Sequence, residues 1–404
     1  MRNSSDRILT TQAGSLPRPA DLIEMNQARQ DGTGTDEAAF QVRLRSSVIE
    51  LVARQRDLGL DIVGDGEYGK AMGQPVDYGA WWTYSFKRLG GLELGDVGLF
   101  DLPSHRSTPG HVVLSSFGDR RDRAAFAEAY QDPTSGITTG PRRRHHPICR
   151  GPLTYVGREA ITADIANCKA ALAAAGVEEG FMTSIAPASC SRIGNEFYDS
   201  EEALLYACAD AMREEYRAII DAGLVLQLDD PAIAENWDQI NPAPTVDEYR
   251  AFTRPRIEAL NYAIRDLPPN RIRFHLCWGS WHGPHTTDIP MRDIVDLMLS
   301  INCQAYSFEA GNVRHEHEWR VWEETRLPEG RILLPGVVSH ATNVVEHPEL
   351  VADRIERFAR AVGRENVLGS TDCGLGGRVH SQIAWAKLES LARGAELATR
   401  RLWG

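Results

Sequence analysis

Four residues of types that bind soft metal ions close short apolar runs in the sequence. His275 and Cys277 close one run, Glu309 closes another, and Cys373 closes a third. On a β-strand, residues two apart project from the same face, so His275 and Cys277 can share one ion. Zinc takes thiolate, imidazole and carboxylate ligands in tetrahedral geometry, and these four residues supply such a set. The alternative is two core thiols and a hydrogen-bonded core histidine.

The charges of this predicted ligand set favour activation of a thiol over activation of water. Two thiolates and a carboxylate place three negative charges against the two positive charges of the ion. Zinc hydrolases instead depend on neutral imidazoles, which keep the ion acidic. An electron-rich zinc centre can replace the proton of a substrate thiol and leave its sulfur nucleophilic. We therefore expect an enzyme that acts on sulfur, with a metal-dependent hydrolase as a less favoured alternative.

Eight short apolar or β-branched runs predict the strands that position these residues. They lie at residues 8–15, 62–67, 181–188, 224–229, 272–277, 305–309, 332–339 and 367–373. Helical patterns alternate with them at residues 42–58, 201–222, 246–267, 291–301, 350–362 and 379–400. Alternating strands and helices predict parallel strands, and eight such units close into a (β/α)8 TIM barrel of the α/β class. A doubly wound open sheet is the alternative, but no Gly-x-Gly-x-x-Gly turn follows the first run.

One long interruption separates the second predicted strand from the third. We interpret residues 1–404 as a single barrel domain in which residues 75–178 are an insertion after strand 2. Ordinary connections run to about six residues. The insertion holds an aromatic cluster (Tyr78, Trp81, Trp82, Tyr84 and Phe86), a basic cluster (Arg142, Arg143 and Arg144) and a helical pattern at 161–175. We expect it to form a lid over the barrel mouth, and a peripheral subdomain or a dimer contact is the alternative.

Further polar residues close the other predicted strands, where the active site of a TIM barrel is built. Ser15, Glu67 and Asp229 end three of the runs, and His340 follows another. Two carboxylates near a metal suit a substrate that carries an ammonium group. Alternatively, Glu67 and Asp229 form salt bridges with Arg192 or Arg378, and His340 is a loop histidine hydrogen-bonded to the backbone. A second histidine group, a weaker candidate for metal binding, lies in loops at 282, 285, 315 and 317.

Six segments of the chain resemble the catalytic barrel of cobalamin-independent methionine synthases, and they occur in that family's order. The segments are Thr10-Thr11-Gln12-Ala13-Gly14-Ser15-Leu16-Pro17-Arg18-Pro19, Asp65-Gly66-Glu67, Gln227-Leu228-Asp229-Asp230-Pro231-Ala232, His275-Leu276-Cys277, Glu309 and Asp372-Cys373-Gly374-Leu375. The chain has length for one barrel, so it resembles the short, single-barrel members. Epoxyalkane:coenzyme M transferase, in the same superfamily, uses similar zinc ligands.

The resemblance implies roles for the residues at the strand ends. It implies a Zn²⁺ site formed by His275, Cys277, Glu309 and Cys373. It further implies that Ser15, Glu67 and Asp229 hold the amino-acid portion of homocysteine, with Asp229 orienting the substrate for catalysis. His340 falls where the family has a histidine that serves as the acid in methyl transfer.

These observations predict a zinc-dependent thiol alkyltransferase whose partners are a small-molecule thiol and an alkyl donor. We expect methyl transfer to homocysteine or a related thiol, with the donor undetermined and methyltetrahydrofolate among the candidates. The first alternative is a zinc-dependent transferase that adds a thiol of the coenzyme M type to an epoxide. A non-catalytic zinc-binding barrel is the alternative from another functional class.

Composition and charge exclude several other classes. The net charge of −12 disfavours a nucleic-acid partner, and no run approaches the roughly 20 apolar residues that span a membrane. Residues 1–12 show no export signal, which predicts a cytoplasmic protein. Seven scattered cysteines are typical of free thiols in a reducing compartment. The sequence leaves the oligomeric state open, a homo-oligomer included.

Overall fold

The computed structural model describes residues 1–34, 36–71, 80–137 and 145–404. Tyr78, the side chains of Trp81 and Trp82, and the basic cluster at 142–144 lie outside the described residues. The helices are α1 (Ala20–Asp31), α2 (Glu37–Asp57), α3 (Ala80–Arg88), α4 (Arg121–Ala125), α5 (Ala127–Gln131), α6 (Arg158–Ala175), α7 (Pro187–Cys190), α8 (Glu201–Asp221), α9 (Ala232–Glu235), α10 (Val246–Ile264), α11 (Val295–Leu299), α12 (Val321–Glu324), α13 (Pro348–Val362) and α14 (Ser381–Trp403). No helix among these residues is long and apolar enough to cross a membrane.

The central sheet is parallel throughout, as alternating strands and helices predict. The strands of the chain are β1 (Val63–Gly64), β2 (Leu89–Gly98), β3 (His145–Tyr155), β4 (Gly180–Ile185), β5 (Gly194–Asn195), β6 (Val225–Asp229), β7 (Ile272–Leu276), β8 (Ala305–Phe308), β9 (Ile332–Val338) and β10 (Ser370–Thr371). Within the described ranges, seven strands form this sheet in the order β1-β4-β6-β7-β8-β9-β10. The α/β class is therefore confirmed, with a curled parallel sheet whose carboxyl ends share one edge.

The predicted first strand, residues 8–15, joins the two edges of this sheet. Thr10 forms an isolated parallel bridge with Gly369, and the Thr11 N–H donates to the Gly369 carbonyl at 2.9 Å. On the other side, the N–H of Ile62 donates to the Thr10 carbonyl at 3.1 Å. The segment thus lies between the ends of the sheet, next to β1 and the residue preceding β10. It is much less regular than the predicted strand.

Several predicted strands are longer than the observed ones. The run at 62–67 is a strand only at Val63–Gly64, because a turn follows in which Glu67 has φ 61°. The run at 181–188 ends at Ile185, since Pro187 begins the helical turn α7. The last run is reduced to Ser370–Thr371. Glu67 and Cys373, which were expected at strand ends, therefore lie just beyond β1 and β10.

A group of polar side chains, centred on Arg273, lies beneath the predicted metal site. Arg273 is fully buried on β7 and donates to Gln227 Oε1 at 2.7 Å, Thr11 Oγ1 at 2.9 Å and the Gln12 carbonyl at 2.7 Å. Its guanidinium lies 3.3 Å from the centroid of the Phe181 ring, and burial lowers its pKa to about 9. Since His275 is two residues further along β7, its side chain faces the same interior.

The region between β1 and β4 contains a small second sheet. Strands β2 and β3 pair antiparallel, and β5 adds to β3 in parallel. Helix α6, which the sequence placed in the insertion, packs against α2 and α8 among the helices that cover the central sheet. The interpretation of residues 75–178 as a lid stays a prediction.

Part of this region is docked on the loops that follow β6 and β7. The Ser115 N–H donates to the Gln239 carbonyl at 2.9 Å, next to the β6 loop. The Asp122 carboxylate accepts the Thr286 N–H at 3.0 Å, from the β7 loop. Trp281 Nε1 donates to the Tyr130 hydroxyl at 2.8 Å. Residues 115–130, called the docked segment below, therefore form a wall beside the carboxyl edge of the sheet.

A buried ion triad anchors the docked segment. Glu235 forms ion pairs with two arginines, one at each carboxylate oxygen. Arg120 binds Oε1, and Arg192 Nη1 lies 2.5 Å from Oε2. All three side chains are buried. Burial alone would raise the pKa of Glu235, but the two guanidiniums outweigh it and lower this pKa to about 2. The carboxylate is thus the shared anion of two buried cations.

Glu235→Gln should release the docked segment, because it removes the anion that two buried guanidiniums share. We expect a loss of about 3 kcal/mol of stability, measured as a lower midpoint of urea unfolding, with faster protease cleavage in residues 115–137. Glu93→Gln is the matched control, since Glu93 pairs with Arg150 at an exposed position and should cost under about 1 kcal/mol. Equal effects of the two variants would contradict this account of the triad.

Candidate metal centre and active site

Three of the four predicted metal ligands converge at the carboxyl edge of the sheet. The ligand atoms of His275, Cys277 and Cys373 all lie within 4.8 Å of one another. His275 lies on β7, Cys277 follows that strand directly, and Cys373 lies two residues after β10. His275 and Cys277 are buried, and Cys373 is partly exposed. Two thiols and an imidazole thus share one small space at the carboxyl edge of the sheet.

The ring of His275 is oriented as a metal ligand requires. Its Nδ1 lies 3.0 Å from Ser307 Oγ on the neighbouring strand β8. Its Nε2 is buried without an oxygen or nitrogen partner in the described part of the chain. An imidazole held through one ring nitrogen, with the other free for an ion, is the usual arrangement of metal-binding histidines. The three residues therefore fit a metal ion.

The two thiols polarise each other strongly. Cys277 beside it holds the pKa of the Cys373 thiol well below its ordinary value, against the opposing effect of burial, and His275 acts in the same direction. The pKa of Cys277 is raised well above its ordinary value by Cys373, and burial adds to this. Opposite pKa shifts of this kind are typical of a thiol that donates to a neighbouring sulfur. A metal ion can replace the proton of that thiol and bind both thiolates.

Glu309, the fourth predicted ligand, lies in an adjacent group of acidic and histidine side chains. Its ligand atom is within 4.8 Å of those of His340 and Asp372. Its carboxylate accepts the Trp278 N–H at 2.9 Å and the Asn312 amide at 2.7 Å. Burial raises its pKa to about 8. The role of Glu309 as a metal ligand stays a prediction, although Trp278 directly follows Cys277 and so ties the two groups together.

Asp372, whose site role the sequence analysis missed, organises the loop that carries Glu309. One carboxylate oxygen accepts the N–H groups of Ala310 at 2.8 Å and Gly311 at 2.7 Å, and burial raises the Asp372 pKa to about 6. A Cβ on Gly336 would lie 2.3 Å from the Asp372 Cα, so this strand position requires glycine. The sequence signal that could have revealed the role of Asp372 was its position directly before Cys373.

His340 is buried in the same group, and its ring is not used to hold the backbone. Nδ1 of His340 has no hydrogen-bond partner among the described residues. Instead, the His340 carbonyl lies 3.1 Å from Nε2 of His282. The alternative of a loop histidine that bonds the backbone therefore describes His282 better than His340. Burial lowers the pKa of His340 to about 3, so its imidazole is neutral in this state.

Glu67 is held in a strained turn by groups that the sequence analysis did not expect. Lys70, whose role was missed, lies 3.3 Å from Glu67 Oε1, and the Thr183 hydroxyl donates to the same oxygen at 2.7 Å. A Cβ on Gly14 would lie only 2.9 Å from that oxygen, and Gly14 has φ 135°. The alternative of a salt bridge from Glu67 to Arg192 or Arg378 is wrong, because Lys70 pairs with Glu67. The sequence signal that could have revealed this ion pair was the position of Lys70 three residues after Glu67.

Asp229 lies beside His275, directly opposite it in the register of β6 and β7. It accepts a hydrogen bond from Gln227 Nε2 at 2.6 Å. Burial raises the pKa of Asp229 to about 7, Glu67 adds to this effect, and His275 and Lys70 oppose it. Asp229, Glu67 and Lys70 therefore form one charged cluster beside the thiol site, with two carboxylates and one ammonium.

The remaining predicted site residues are placed as follows. Ser15 lies against the loop after Cys373, because its hydroxyl is 3.4 Å from the Gly376 carbonyl. Arg192 is engaged with Glu235, as described above, and Arg378 Nε donates to the Ser280 hydroxyl at 2.9 Å. The substrate roles of Ser15, Glu67 and Asp229 stay predictions.

The second histidine group does not assemble as a metal site. His285 and His315 instead share the carboxylate of Asp288, at 3.0 and 3.1 Å. His317 is exposed. In the described part of the chain, the two ligand groups given above are the clusters of three or more whose ligand atoms lie within 4.8 Å. Trp278 is fully buried and stacks on His315, with the ring centroids 4.0 Å apart.

Known proteins resemble this chain over nearly its whole length. No model of a known protein family matches it. A methionine synthase of Thermococcus kodakarensis is 22% identical over 97% of this chain and 94% of its own length. The 2-hydroxypropyl-CoM lyase of Xanthobacter autotrophicus is 24% identical over 100% of this chain and 98% of its own. The resemblance predicted from the motifs is confirmed. A methionine synthase of Saccharolobus solfataricus is also 24% identical, over 97% of this chain.

A solved methionine synthase shares the fold. The B12-independent methionine synthase of Shewanella sp. W3-18-1, in complex with selenomethionine, superposes with a TM-score of 0.66 at 20% identity. The match covers 98% of this chain and 99% of the other. The matched methionine synthases and the CoM lyase thus have lengths like that of this chain.

The raised pKa of Asp229 predicts how stability depends on pH. A carboxyl whose folded pKa is raised is destabilising when ionised, and this cost grows from the unfolded value near 4 up to the folded value near 7. Asp229→Asn should therefore raise the thermal midpoint of the metal-free protein by a few degrees at pH 8 and less at pH 5. Asp221→Asn, at an exposed carboxyl, is the control. An equal shift at both pH values would argue against a buried charge.

Proposed function

We propose that this protein is a zinc-dependent thiol alkyltransferase on a (β/α)8 barrel, which methylates homocysteine or a related amino thiol. The observation that carries the proposal is the convergence of His275, Cys277 and Cys373 within 4.8 Å. In the proposed barrel, residues 8–15 take the place of the first strand between β1 and β10. Methionine synthases related to this chain over its full length support the same reaction class.

The donor set favours zinc among the common metals. Two thiolates with an imidazole are soft ligands that suit zinc, whereas magnesium and calcium prefer oxygen. We assign Glu309 as the fourth ligand, because its carboxylate lies beside the backbone that follows Cys277. A zinc ion held there would replace the proton of a substrate thiol and keep its sulfur nucleophilic.

The charged cluster favours a thiol that carries an ammonium group. Glu67 and Asp229 bring two negative charges and Lys70 one positive charge, so the ionised cluster is left with a charge of −1. One substrate ammonium neutralises that excess, and it would lower the raised pKa of Asp229. We assign Ser15, next to the Cys373 loop, to the same substrate. Homocysteine fits this pattern.

The transfer itself requires that a proton be moved. The thiol sulfur forms a bond to the alkyl carbon, the bond from that carbon to its leaving atom breaks, and the electron pair goes to the leaving atom. We assign His340 as the acid that protonates this atom. Its Nδ1 has no hydrogen-bond partner among the described residues, so this nitrogen is available to carry the proton that the thiol loses on ionisation. The docked segment would keep water from the site.

Opening of an epoxide by a thiol is the second candidate. It is favoured by the full-length similarity to 2-hydroxypropyl-CoM lyase. The same thiolate would attack an epoxide carbon, and His340 would protonate the alkoxide. A sulfonate thiol such as coenzyme M needs cationic contacts, however, whereas the cluster of Glu67, Asp229 and Lys70 has an excess of negative charge.

A substrate screen on the zinc-loaded protein tests the function. Homocysteine and 2-mercaptoethanesulfonate would each be offered with methyltetrahydrofolate, epoxypropane and methyl iodide as alkyl donors, and the thioether product would be measured. We expect homocysteine to be alkylated. Cys277→Ser should reduce the zinc content and the rate at least tenfold, whereas Cys303→Ser, at a buried thiol outside the metal group, should keep both.

Zinc-edge X-ray absorption separates the candidates from a non-catalytic barrel. Added homocysteine should bring a further sulfur into the zinc coordination shell. A closed set of ligands that no thiol perturbs would indicate a non-catalytic zinc protein. A strong preference for the sulfonate thiol with epoxypropane would favour the second candidate. Protein without zinc, combined with a fully active Cys277→Ser variant, would refute the proposal.

Removal of the negative charge at Glu67 should act on substrate binding. Glu67→Gln keeps a hydrogen-bond acceptor for Thr183 but leaves Lys70 without its anion. We expect KM for homocysteine to rise at least tenfold, and KM for 2-mercaptoethanol, which lacks the amino group, to change less than threefold. Steady-state kinetics with one donor would measure both. A similar increase for the two thiols would remove Glu67 from recognition of the ammonium group.

A further inference from the structure

The loop that carries His340 is fixed by a buried ion pair from the last helix. Lys387, on α14, is fully buried, and its Nζ lies 2.9 and 3.1 Å from the two carboxylate oxygens of Glu346. The side chain of Glu346 is only 6% exposed. Glu346 itself closes the loop that begins after β9. A complete ion pair is therefore enclosed in the protein beside the barrel mouth.

The same pair holds the backbone on both sides of the loop. Glu346 Oε1 accepts the N–H of Ser339 at 2.8 Å, and Ser339 directly precedes His340. Lys387 Nζ also donates to the Val344 carbonyl at 2.6 Å. The Ser390 hydroxyl, one turn further along α14, donates to the Glu346 carbonyl. The start and the end of the loop are thus tied to one point on α14.

Burying two opposite charges to close a loop costs desolvation free energy. Replacement of such pairs by apolar groups is often neutral or stabilising, whereas removal of one partner is strongly destabilising because it leaves an uncompensated buried charge. The ion pair fixes the position of the loop backbone, because it forms hydrogen bonds with the Ser339 N–H and the Val344 carbonyl. His340 has no partner for its Nδ1 in the described part of the chain. Its place relative to Glu309 and Asp372 therefore depends on that backbone.

We propose that Glu346 and Lys387 are positioning residues that hold His340 where it protonates the leaving atom of the alkyl donor. The inference rests on the proposed function. In the step concerned, a sulfur–carbon bond forms and a carbon–nitrogen or carbon–oxygen bond breaks. The electron pair goes to nitrogen or oxygen, which takes the proton from His340. That proton came from the thiol, so no further reactant is needed.

The choice of donor separates positioning of an acid from a general structural role. Methyltetrahydrofolate and epoxypropane leave a nitrogen or an oxygen that must be protonated by His340. Methyl iodide releases iodide, which needs no proton, so the proton displaced from the thiol can pass to the buffer. With the zinc-loaded protein and homocysteine, Lys387→Met should lower kcat at least tenfold with a proton-requiring donor. KM for homocysteine and the rate with methyl iodide, above the uncatalysed rate, should stay within twofold. Glu346→Gln should have the same effects on kcat, on KM and on the rate with methyl iodide.

The double variant provides a rescue. Glu346→Gln combined with Lys387→Met leaves no unpaired buried charge, and the amide oxygen can still accept the Ser339 N–H. It should recover at least a third of wild-type kcat with the proton-requiring donor. Arg393→Met removes an exposed ion pair with Glu389 on the same helix, and it should change nothing. Zinc content and the thermal midpoint are measured for every variant, and Lys387→Arg replaces any single variant that fails to fold.

The outcomes distinguish the inference from the function on which it rests. Wild-type protein that alkylates no thiol with any of the three donors overturns the proposed function. Wild-type activity with unchanged variants overturns the inference alone. An equal loss with methyl iodide and with the proton-requiring donors also overturns it, because the pair would then support the fold in general. Selective loss with rescue by the double variant supports it.

Discussion

The site depends on the register of neighbouring parallel strands. Asp229 on β6 is paired with His275 on β7, and His275 is paired with Ser307 on β8. This alignment places Asp229 on the strand to one side of His275 and Ser307 on the strand to the other, and the Ser307 hydroxyl holds Nδ1 of the imidazole. Because side chains alternate along a strand, a shift of one residue would turn His275 away from the interior. Register therefore determines both the metal centre and its nearest charged neighbours.

Irregular backbone supplies what regular strands cannot. Glu67 reaches the cluster beside the metal group because it has φ 61°, and Gly14 leaves room for its carboxylate. Such a conformation is costly for a residue with a side chain and is kept when its surroundings hold it. Here Lys70 and Thr183 hold the carboxylate. The strain is found in the turns just past the strands, where the charged groups gather, and not within the strands.

The sequence predicted the parts of the structure that rest on local pattern. Apolar runs located the central strands, and the polar residue after each run located His275, Cys277 and Cys373. Contacts made across long stretches of chain could not be read in this way. Lys387 pairs with Glu346 across 41 positions, and Asp372 holds the N–H groups of residues 310 and 311, about sixty positions earlier. Their residue types are ordinary, and their roles arise only when the strands are brought side by side.

The short lengths of the outer strands have a related cause. β1 and β10 each keep two residues of the predicted runs, because the chain leaves the sheet early there to form turns that carry Glu67 and Cys373. A pattern of apolar residues reports burial, and buried turns share that pattern with strands. The prediction of strand type was therefore sound, whereas the prediction of strand ends failed where functional turns are buried.

The parts of the site have buried carboxyl groups with raised pKa values in common. Burial raises the pKa of Asp229 to about 7, that of Glu309 to about 8 and that of Asp372 to about 6. Each shift is a cost of keeping a carboxylate ionised without enough cations nearby, and one pKa unit corresponds to about 1.4 kcal/mol. A bound metal ion and a substrate ammonium are the two kinds of charge that reduce this cost. Several buried carboxyl groups whose ionisation is costly lie at one edge of the sheet, so cations bound there would favour their ionised forms.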